Sequence, residues 1–219
     1  MNKKKYEIVI ACGGLGTRLR DITKEIPKPL YPINSICTLE RCINQLSLFT
    51  YKNILVTIGF RSFMFENYIQ KLNQKYNVNI EIFLEKKPLG ECGALWQVQE
   101  NLYENFIFIN GDLIFSIDFD RLISFHKRLS SQLTLVTHTS DHPNDSDLVS
   151  ASNGSLVDEI YLKKKSKDIE TNAYLGNSGI FIINKKILGK IKAPIEKEIK
   201  SVFHHIVKNV FDLNINIYS

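Results

Sequence analysis

Gly13-Gly14-Leu15-Gly16-Thr17-Arg18-Leu19 follows directly on an apolar run, Tyr6–Ala11. Glycines at such a junction let the backbone approach a ligand closely and offer N–H groups to phosphate oxygens. Arg18 adds a fixed cation whose guanidinium can fork onto phosphate. Nine residues later, Pro27-Lys28-Pro29 holds one lysine between two prolines in a stiff, extended segment. A lysine held in that way is a point charge for a developing oxyanion. Alone, Pro-Lys-Pro reads as a surface turn; at this distance from the glycine loop, the two together point to phosphate chemistry. The order G-G-x-G-T-R lacks the G-x-G-x-x-G spacing of a dinucleotide fingerprint and the terminal G-K-S/T of a Walker loop. That spacing counts against a dinucleotide-dependent dehydrogenase.

Elements that could position these residues alternate along the chain. Tyr6–Ala11, Asn53–Ile58, Asn79–Leu84, Asn105–Ile109 and Leu133–His138 read as strands. Between them, Ser35–Phe49, Phe63–Lys75, Gly93–Leu102 and Asp118–Leu129 carry helical spacing of apolar residues. The alternation predicts a doubly wound α/β layer with a mostly parallel sheet and helices on both faces. Such sheets bind ligands outside the carboxyl ends of their strands. Gly13, Glu85 and Asp112 fall at those ends, after the first, third and fourth strands. From Leu148 the texture changes to short strands, Leu148–Ala151, Ser155–Leu162 and Gly179–Ile183, with Asn153-Gly154 as a hairpin signal. A helix over Glu196–Asn209 and a final strand over Asn214–Tyr218 complete the pattern. There is no linker and no internal repeat, so residues 1–219 read as one domain: a nucleotide half to about residue 112, and a second half, about 113–219, that adds a small β lid.

The 219 residues are ample for a core without disulfide or metal staples. With 44% hydrophobic and 23% charged residues, disorder and coiled coil are poor readings. No apolar run approaches the roughly 20 residues needed to span a bilayer. The basic start Met1-Asn2-Lys3-Lys4-Lys5 leads into an apolar stretch too short for a signal peptide. A cytoplasmic chain without a membrane partner is expected. The net charge of +5 suits an anionic ligand as well as a solvated surface, and the basic runs Lys3–Lys5 and Lys163–Lys165 carry no interleaved aromatics that would suggest nucleic acid. Cys12, Cys37, Cys42 and Cys92 lack paired metal spacing and read as small buried apolar residues.

Gly13–Leu19 followed by Pro27-Lys28-Pro29-Leu30 resembles the signature of sugar-1-phosphate nucleotidyltransferases. The resemblance continues through Glu85-Lys86-Lys87-Pro88-Leu89-Gly90, Gly93-Ala94-Leu95, Asn110-Gly111-Asp112 and Asn177-Ser178-Gly179-Ile180, so it covers nearly the whole chain. It implies a Rossmann-like, glycosyltransferase-A-like fold and a reaction in which an NTP and a sugar 1-phosphate give an NDP-sugar and pyrophosphate. On this resemblance Arg18 grips the leaving phosphates, Lys28 stabilises charge around the attacked phosphate, and Asp112 holds Mg²⁺. Ala11, Gly13, Gly14, Gly16 and Thr17 cradle the nucleotide, with Gly90 closing the base pocket. Glu85 belongs to the nucleotide set on its sugar side, where Asn177 also lies. Gly111 and Lys163 contact the sugar phosphate, Lys163 as the second lysine of the family. The segment His142-Pro143-Asn144-Asp145-Ser146-Asp147-Leu148 resembles the branch of heptose-1-phosphate guanylyltransferases. Some members of that branch are fused to a phosphatase, so a fused or partner sugar phosphatase is expected. The best single reading is GTP with D-glycero-D-manno-heptose 1-phosphate; a mannose, glucose or other hexose 1-phosphate is the alternative. The oligomeric state is left open.

Two departures from the family pattern stand out. Leu162 occupies the place of the acid that usually precedes the second lysine. A second metal aspartate, in a D-x-G-T/I-P-like segment after the last strand, is absent, and the chain stops at about the place where it would begin. The expectation is a piece of a longer protein, a metal site completed differently, or weakened activity; a non-catalytic nucleotide-sugar-binding domain is the competing reading that the same absence motivates. Trp96 reads as core. His204 and His205, adjacent on a helix, point in different directions and do not form a metal pair. His126 and His138 have no evident partner.

Overall fold

Tyr6–Ala11 (β1) is buried on both faces because it lies in the middle of the parallel part of a sheet, and that explains its unbroken apolar run. The computed structural model describes residues 5–14, 25–59, 61–87, 89–140, 146–152, 155–163, 174–194 and 201–219. Pro32–Ile33 (β2) and Ile36–Cys37 (β3) form a separate small hairpin. The remaining strands are Asn53–Ile58 (β4), Asn79–Leu84 (β5), Leu102–Asn110 (β6), Leu133–Thr139 (β7), Leu148–Ser152 (β8), Leu156–Tyr161 (β9), Leu175–Asn184 (β10) and Ile217–Tyr218 (β11). They make one sheet in the order β5-β4-β1-β6-β10-β7-β11-β9-β8. Helices α1 (Thr38–Ser47), α2 (Ser62–Tyr76), α3 (Ala94–Val98) and α4 (Phe119–Arg128) make the crossovers, with α5 (Lys186–Lys190) and α6 (Lys208–Asp212) further along.

The period-2 alternation inside each strand sorts its side chains between two cores. Ile8, Ile10, Ile107, Ile109, Ile180 and Ile182 face one layer with Leu39, Ile43, Phe65, Ile69 and Phe119 from α1, α2 and α4. Val9, Phe106, Phe108, Phe181 and Ile183 face the other layer with Leu95 and Val98 of α3 and Phe203, Ile206 and Val210 near the C-terminus. Helices therefore cover both faces, as a doubly wound layer requires.

The strands β5, β4, β1 and β6 are parallel, each joined to the next by a helix. Beyond β6 the expected parallel run ends: β10 is antiparallel to β6, β7 and β8. The reason is connection chemistry. Strands β8 and β9 pair as an antiparallel hairpin that reverses the chain, and β10 keeps the reversed direction, antiparallel to β8. The chain leaves β1 for β4 and β5 on one side and returns to β6 on the other. The crevice at the carboxyl ends of β1 and β6 is thus a topological switch point.

Several boundaries differ from the sequence reading. The helix expected from Ser35 starts at Thr38, because Asn34 and Ser35, at φ 50° and 69°, turn the β2–β3 hairpin. The Cys37 sulfur then caps the helix by accepting from Glu40 N–H at 3.4 Å. The helix expected to reach Leu102 stops at Val98 and tightens into a 3-10 turn over Gln99–Asn101, because Leu102 is drawn into β6 opposite Tyr6. Strand β10 starts four residues before Gly179. In the helix expected over Glu196–Asn209, the π-helical turn Phe203–Val207 precedes α6; residues 195–200 and the Asn153-Gly154 turn lie outside the described residues. All four cysteines are buried and unpaired. Trp96 is half-buried, its Nε1–H donating to Leu188 O at 2.9 Å.

His126 does find partners. It is buried in α4, with Nδ1 2.8 Å from Thr134 Oγ1 and Nε2 3.2 Å from Asn105 Oδ1. Burial, with Lys127 adding, pushes its pKa from 6.5 to about 4. Below pH 6.5 the unfolded chain takes up a proton that the folded chain refuses. The contribution is therefore complete above pH 6.5 and is lost as pH falls toward 4. Urea unfolding between pH 7.5 and pH 4 should show a loss of up to about 3 kcal/mol that disappears in His126→Asn. An equal pH slope in both proteins would refute it.

Candidate active site

Lys28 sits on a 3-10 turn, Lys28–Leu30, that Pro27 starts and the Leu30 N–H to Pro27 O hydrogen bond closes at 2.8 Å. Pro29 is buried, so the backbone carrying the lysine is anchored. Asp112 follows β6, whose end is tied to β1 by Gly111 N–H donating to Ala11 O at 2.9 Å. The Lys28 ammonium donates to Asp112 Oδ2, joining two residues 84 positions apart. Both side chains remain partly exposed, 40% and 35%, so the pair lies at the mouth of the crevice and is open to a ligand.

Thr38 holds this pair in place, and no sequence signal marked it. Its buried hydroxyl is 3.3 Å from Pro29 O and 3.1 Å from Gly111 O. One hydrogen shared between those two carbonyls links the Pro-Lys-Pro turn to the Asn-Gly-Asp turn. Its position on the first residue of α1 looks like an ordinary helix start in the sequence.

Ala11, Gly13 and Gly14 line the other wall of the crevice. Cys12 N–H donates to Thr57 O at 2.8 Å, which fixes the chain just before the glycines. A Cβ on Gly13 would lie 2.9 Å from Glu85 Oε1. A Cβ on Gly111 would lie 2.4 Å from Cys12 Sγ and 2.9 Å from Ala11 O. Gly111 is thus required by close approach, whereas at Gly13 the end of the Glu85 side chain would have to move. Gly14 faces open space. Glu85, one residue past β5, is buried against this loop. Its Oε2 accepts from Leu89 N–H at 3.4 Å, and its Oε1 has no partner among the described residues. Burial holds its carboxyl above the usual range, only partly offset by the Leu89 N–H. Gly90 stands in the turn that follows. Gly16, Thr17 and Arg18 lie outside the described residues.

Lys163 and Asn177 meet on the far side through a residue that had drawn attention only as part of a motif. Asp147 accepts from Asn177 N–H on its carbonyl at 2.9 Å and from Lys163 N–H on Oδ1 at 3.0 Å. His204 Nε2 lies 2.8 Å from the same Oδ1. His205 points elsewhere, its Nε2 2.8 Å from Lys192 O, so the two histidines diverge as their adjacency predicts. Glu91 was not singled out, because one acid in a turn carries no pattern. Its carboxyl is held above the usual range by desolvation, opposed by the Val202 N–H; Asp112 and Asp147 add to the rise and His204 counters it. Glu91 is nevertheless exposed.

Among the described residues, no group of three or more acidic, histidine or cysteine side chains is arranged to cage a metal ion. Mg²⁺, however, usually takes one or two carboxylates and completes its shell with water and substrate phosphates. The single carboxylate Asp112 fits that donor set. Among the described residues, no helix is long and apolar enough to cross a membrane.

The Nucleotidyl transferase family profile matches residues 7–213. The mannose-1-phosphate guanyltransferase of Yarrowia lipolytica is 28% identical over 196 residues, 87% of this chain and 53% of the relative. The chain thus spans about half the length of such relatives. HddC from Yersinia pseudotuberculosis, in a crystal structure complexed with GMP-PN, superposes with a TM-score of 0.68 at 27% identity, covering 84% of this chain and 78% of that one. The inositol-1-phosphate CTP transferase of T. maritima, at 17% identity, shares the fold with a TM-score of 0.76 over 98% of this chain and 84% of its own. With a glycine-lined crevice at the strand switch point and a family match over nearly its full length, the chain belongs to the nucleotidyl transferase family.

Proposed function

We propose that this chain transfers a nucleotidyl group from an NTP to a sugar 1-phosphate, releasing pyrophosphate. The observation that carries the reading is the meeting of Lys28 and Asp112 beside the Gly13–Gly14 backbone. A phosphate monoester is already a competent nucleophile, so no serine, cysteine or histidine needs activation. Its oxygen attacks the α-phosphorus in line, the bond to the β-phosphate oxygen breaks, and pyrophosphate leaves with that electron pair. Catalysis is then positioning and charge neutralisation. Lys28 supplies positive charge at the attacked phosphate. The Gly13–Gly14 backbone and Ala11 seat the nucleotide, Glu85 and Gly90 border it, and Arg18, Gly16 and Thr17 are assigned to its phosphates. Gly111, Asn177 and Lys163 are assigned to the sugar phosphate. Asp112 would hold Mg²⁺, which when bound supplies charge neutralisation between phosphate oxygens.

We take residues 1–219 as one domain, with the nucleotide half to about 112 and the sugar half beyond. A cytoplasmic setting suits four unpaired cysteines. Guanine is the favoured base, since the mannose-1-phosphate guanyltransferases and the HddC complex with GMP-PN both point that way. D-glycero-D-manno-heptose 1-phosphate is the favoured sugar, on the resemblance of the His142–Leu148 segment. Mannose 1-phosphate is the second reading, favoured by the names of the similar guanyltransferases. A sugar phosphatase, fused or separate, would supply the 1-phosphate by trimming a bisphosphate.

The test is pyrophosphate release from GTP, ATP, CTP, UTP and dTTP, each paired with heptose, mannose and glucose 1-phosphates, with Mg²⁺ present or chelated. The expected result is metal-dependent release with GTP and one manno-configured sugar. Measurable nucleotide binding without turnover for any pair would replace the enzyme by a non-catalytic nucleotide-sugar-binding domain.

A further inference from the structure

We propose that Thr38 is a positioning residue whose hydroxyl sets the spacing at which Lys28 and Asp112 grip one phosphate group and its cation; this rests on the nucleotidyl-transfer reading above. The hydroxyl lies 3.3 Å from Pro29 O and 3.1 Å from Gly111 O. Pro29 follows Lys28 and Gly111 precedes Asp112, so each accepting carbonyl is one residue from a functional side chain. The two turns are therefore closed twice. Lys28 and Asp112 meet through their side chains, which are partly exposed, and Pro29 and Gly111 meet through the buried Thr38 hydroxyl. Substrate exchanges the first closure for ligand contacts, because Lys28 turns to the attacked phosphate and Asp112 to the cation. The buried closure stays, and it ties the two turns directly.

The start of α1 shows that this hydroxyl is not spent on the helix. A threonine that begins a helix ordinarily occupies the N-cap, where its oxygen accepts a backbone N–H of the first turn. Here the N-cap is Cys37, whose sulfur, a weak acceptor, takes the Glu40 N–H at 3.4 Å. Thr38 stands one residue later and donates to carbonyls 9 and 73 positions away. Its branched side chain has few rotamers, so the helix backbone aims the hydroxyl. The next residue, Leu39, and Ile43 bury α1 against the sheet and anchor the tie to the core. A threonine so placed acts on rate through geometry: groups that must converge on one phosphate lose up to about a hundredfold when they are misplaced by about 1 Å.

The experiment uses the full chain as wild type, Thr38→Val, Thr38→Ala, Thr38→Ser, Gly111→Ala and the Thr38→Val/Gly111→Ala double variant. Pyrophosphate release is measured with the best substrate pair. Thr38→Val keeps the branched shape and loses the hydroxyl. It should lower kcat by about tenfold and change either KM by less than about twofold, and Thr38→Ala should follow it. Thr38→Ser restores the hydroxyl and should recover most of the loss. Gly111→Ala displaces one accepting carbonyl, so adding Thr38→Val to it should cost little further kcat. An unchanged kcat in Thr38→Val and Thr38→Ala, a loss that Thr38→Ser does not recover, or full additivity with Gly111→Ala would make Thr38 a staple of the fold alone and overturn the proposal. Calorimetric titration with Mn²⁺ in saturating GTP reads the same tie without turnover. The Mn²⁺ affinity should fall by about threefold or more in Thr38→Val and return in Thr38→Ser. Equal affinities there overturn the Thr38 assignment, and a wild type without nucleotide-dependent Mn²⁺ binding overturns both readings. A wild type that binds Mn²⁺ with GTP yet never turns over removes the enzyme reading and leaves the Thr38 assignment to the affinities.

Discussion

Asp112→Ala and Lys28→Ala should each lower the turnover number for pyrophosphate release by about a hundredfold or more, which corresponds to roughly 3 kcal/mol or more of lost transition-state stabilisation. The two residues contact each other, yet each is more than a third exposed, so neither substitution strands a buried charge. Their melting temperatures should stay close to the wild-type value. The chemistry explains the size of the effect. Negative charge accumulates on the oxygens around the attacked phosphorus, and a bound substrate that covers the fixed ammonium displaces water from it, so that it acts more strongly than in bulk solvent. Asp112→Ala removes the only carboxylate assigned to the divalent cation. A distinct signature separates the two variants. Raising Mg²⁺ should partly restore Asp112→Ala by mass action and leave Lys28→Ala unchanged. Near wild-type rates in both variants would mean that the crevice has been assigned the wrong chemistry.

Gly111→Ala should have the second largest effect, and it should act through geometry rather than charge. The added methyl would lie 2.4 Å from Cys12 Sγ and 2.9 Å from Ala11 O. Neither neighbour can retreat, since Cys12 is buried and Ala11 O accepts the Gly111 N–H that joins β1 to β6. The turn must therefore shift, carrying Asp112 with it and breaking the shared Thr38 hydrogen bond. Overpacking of this kind costs about 1–3 kcal/mol, and turnover should fall by roughly tenfold to a hundredfold. Adding Cys12→Ala to Gly111→Ala removes the sulfur contact and should recover part of both losses, because the two sites are in direct contact and therefore non-additive. Thermal melting and pyrophosphate release, measured on the single and double variants, check this. Strictly additive losses would place the strain elsewhere.

The parallel half of the fold was legible because its signals are local. Tyr6–Ala11, Asn53–Ile58 and Asn79–Leu84 are short runs rich in β-branched and aromatic residues with glycine or polar residues close by, and the structure returns the same limits. Asp118 at a helix start was equally readable, with its carboxylate accepting from Arg121 N–H at 2.9 Å. The second half was harder to read. Gly176, Asn177 and Ser178 hide the first part of β10, because polar and glycine residues there are held by pairing with β7 and β8 rather than by their own propensity. Residues 36 and 37 left the helix for a different reason: Asn34 and Ser35 turn the chain back onto Pro32 and Ile33, a local turn signal that the helical spacing obscured.

The candidate site divides in the same way. The amino-acid sequence by itself determined which residue types do the chemistry: a glycine turn, a proline-flanked lysine and an acid at a strand end, each written in a few adjacent positions. Tertiary structure alone decided that Lys28 and Asp112 are partners, that Thr38 couples their turns, and that Asp147 and His204 form one unit across 57 positions. It also decided why Gly111 must be glycine, since the reasons are Ala11 O and Cys12 Sγ, atoms brought in from the end of β1. The physical cause is range. Turn chemistry and strand period act over a few residues and can be read along the chain. A hydrogen bond between distant residues depends on sheet order and register, and these are set only when both cores pack at once.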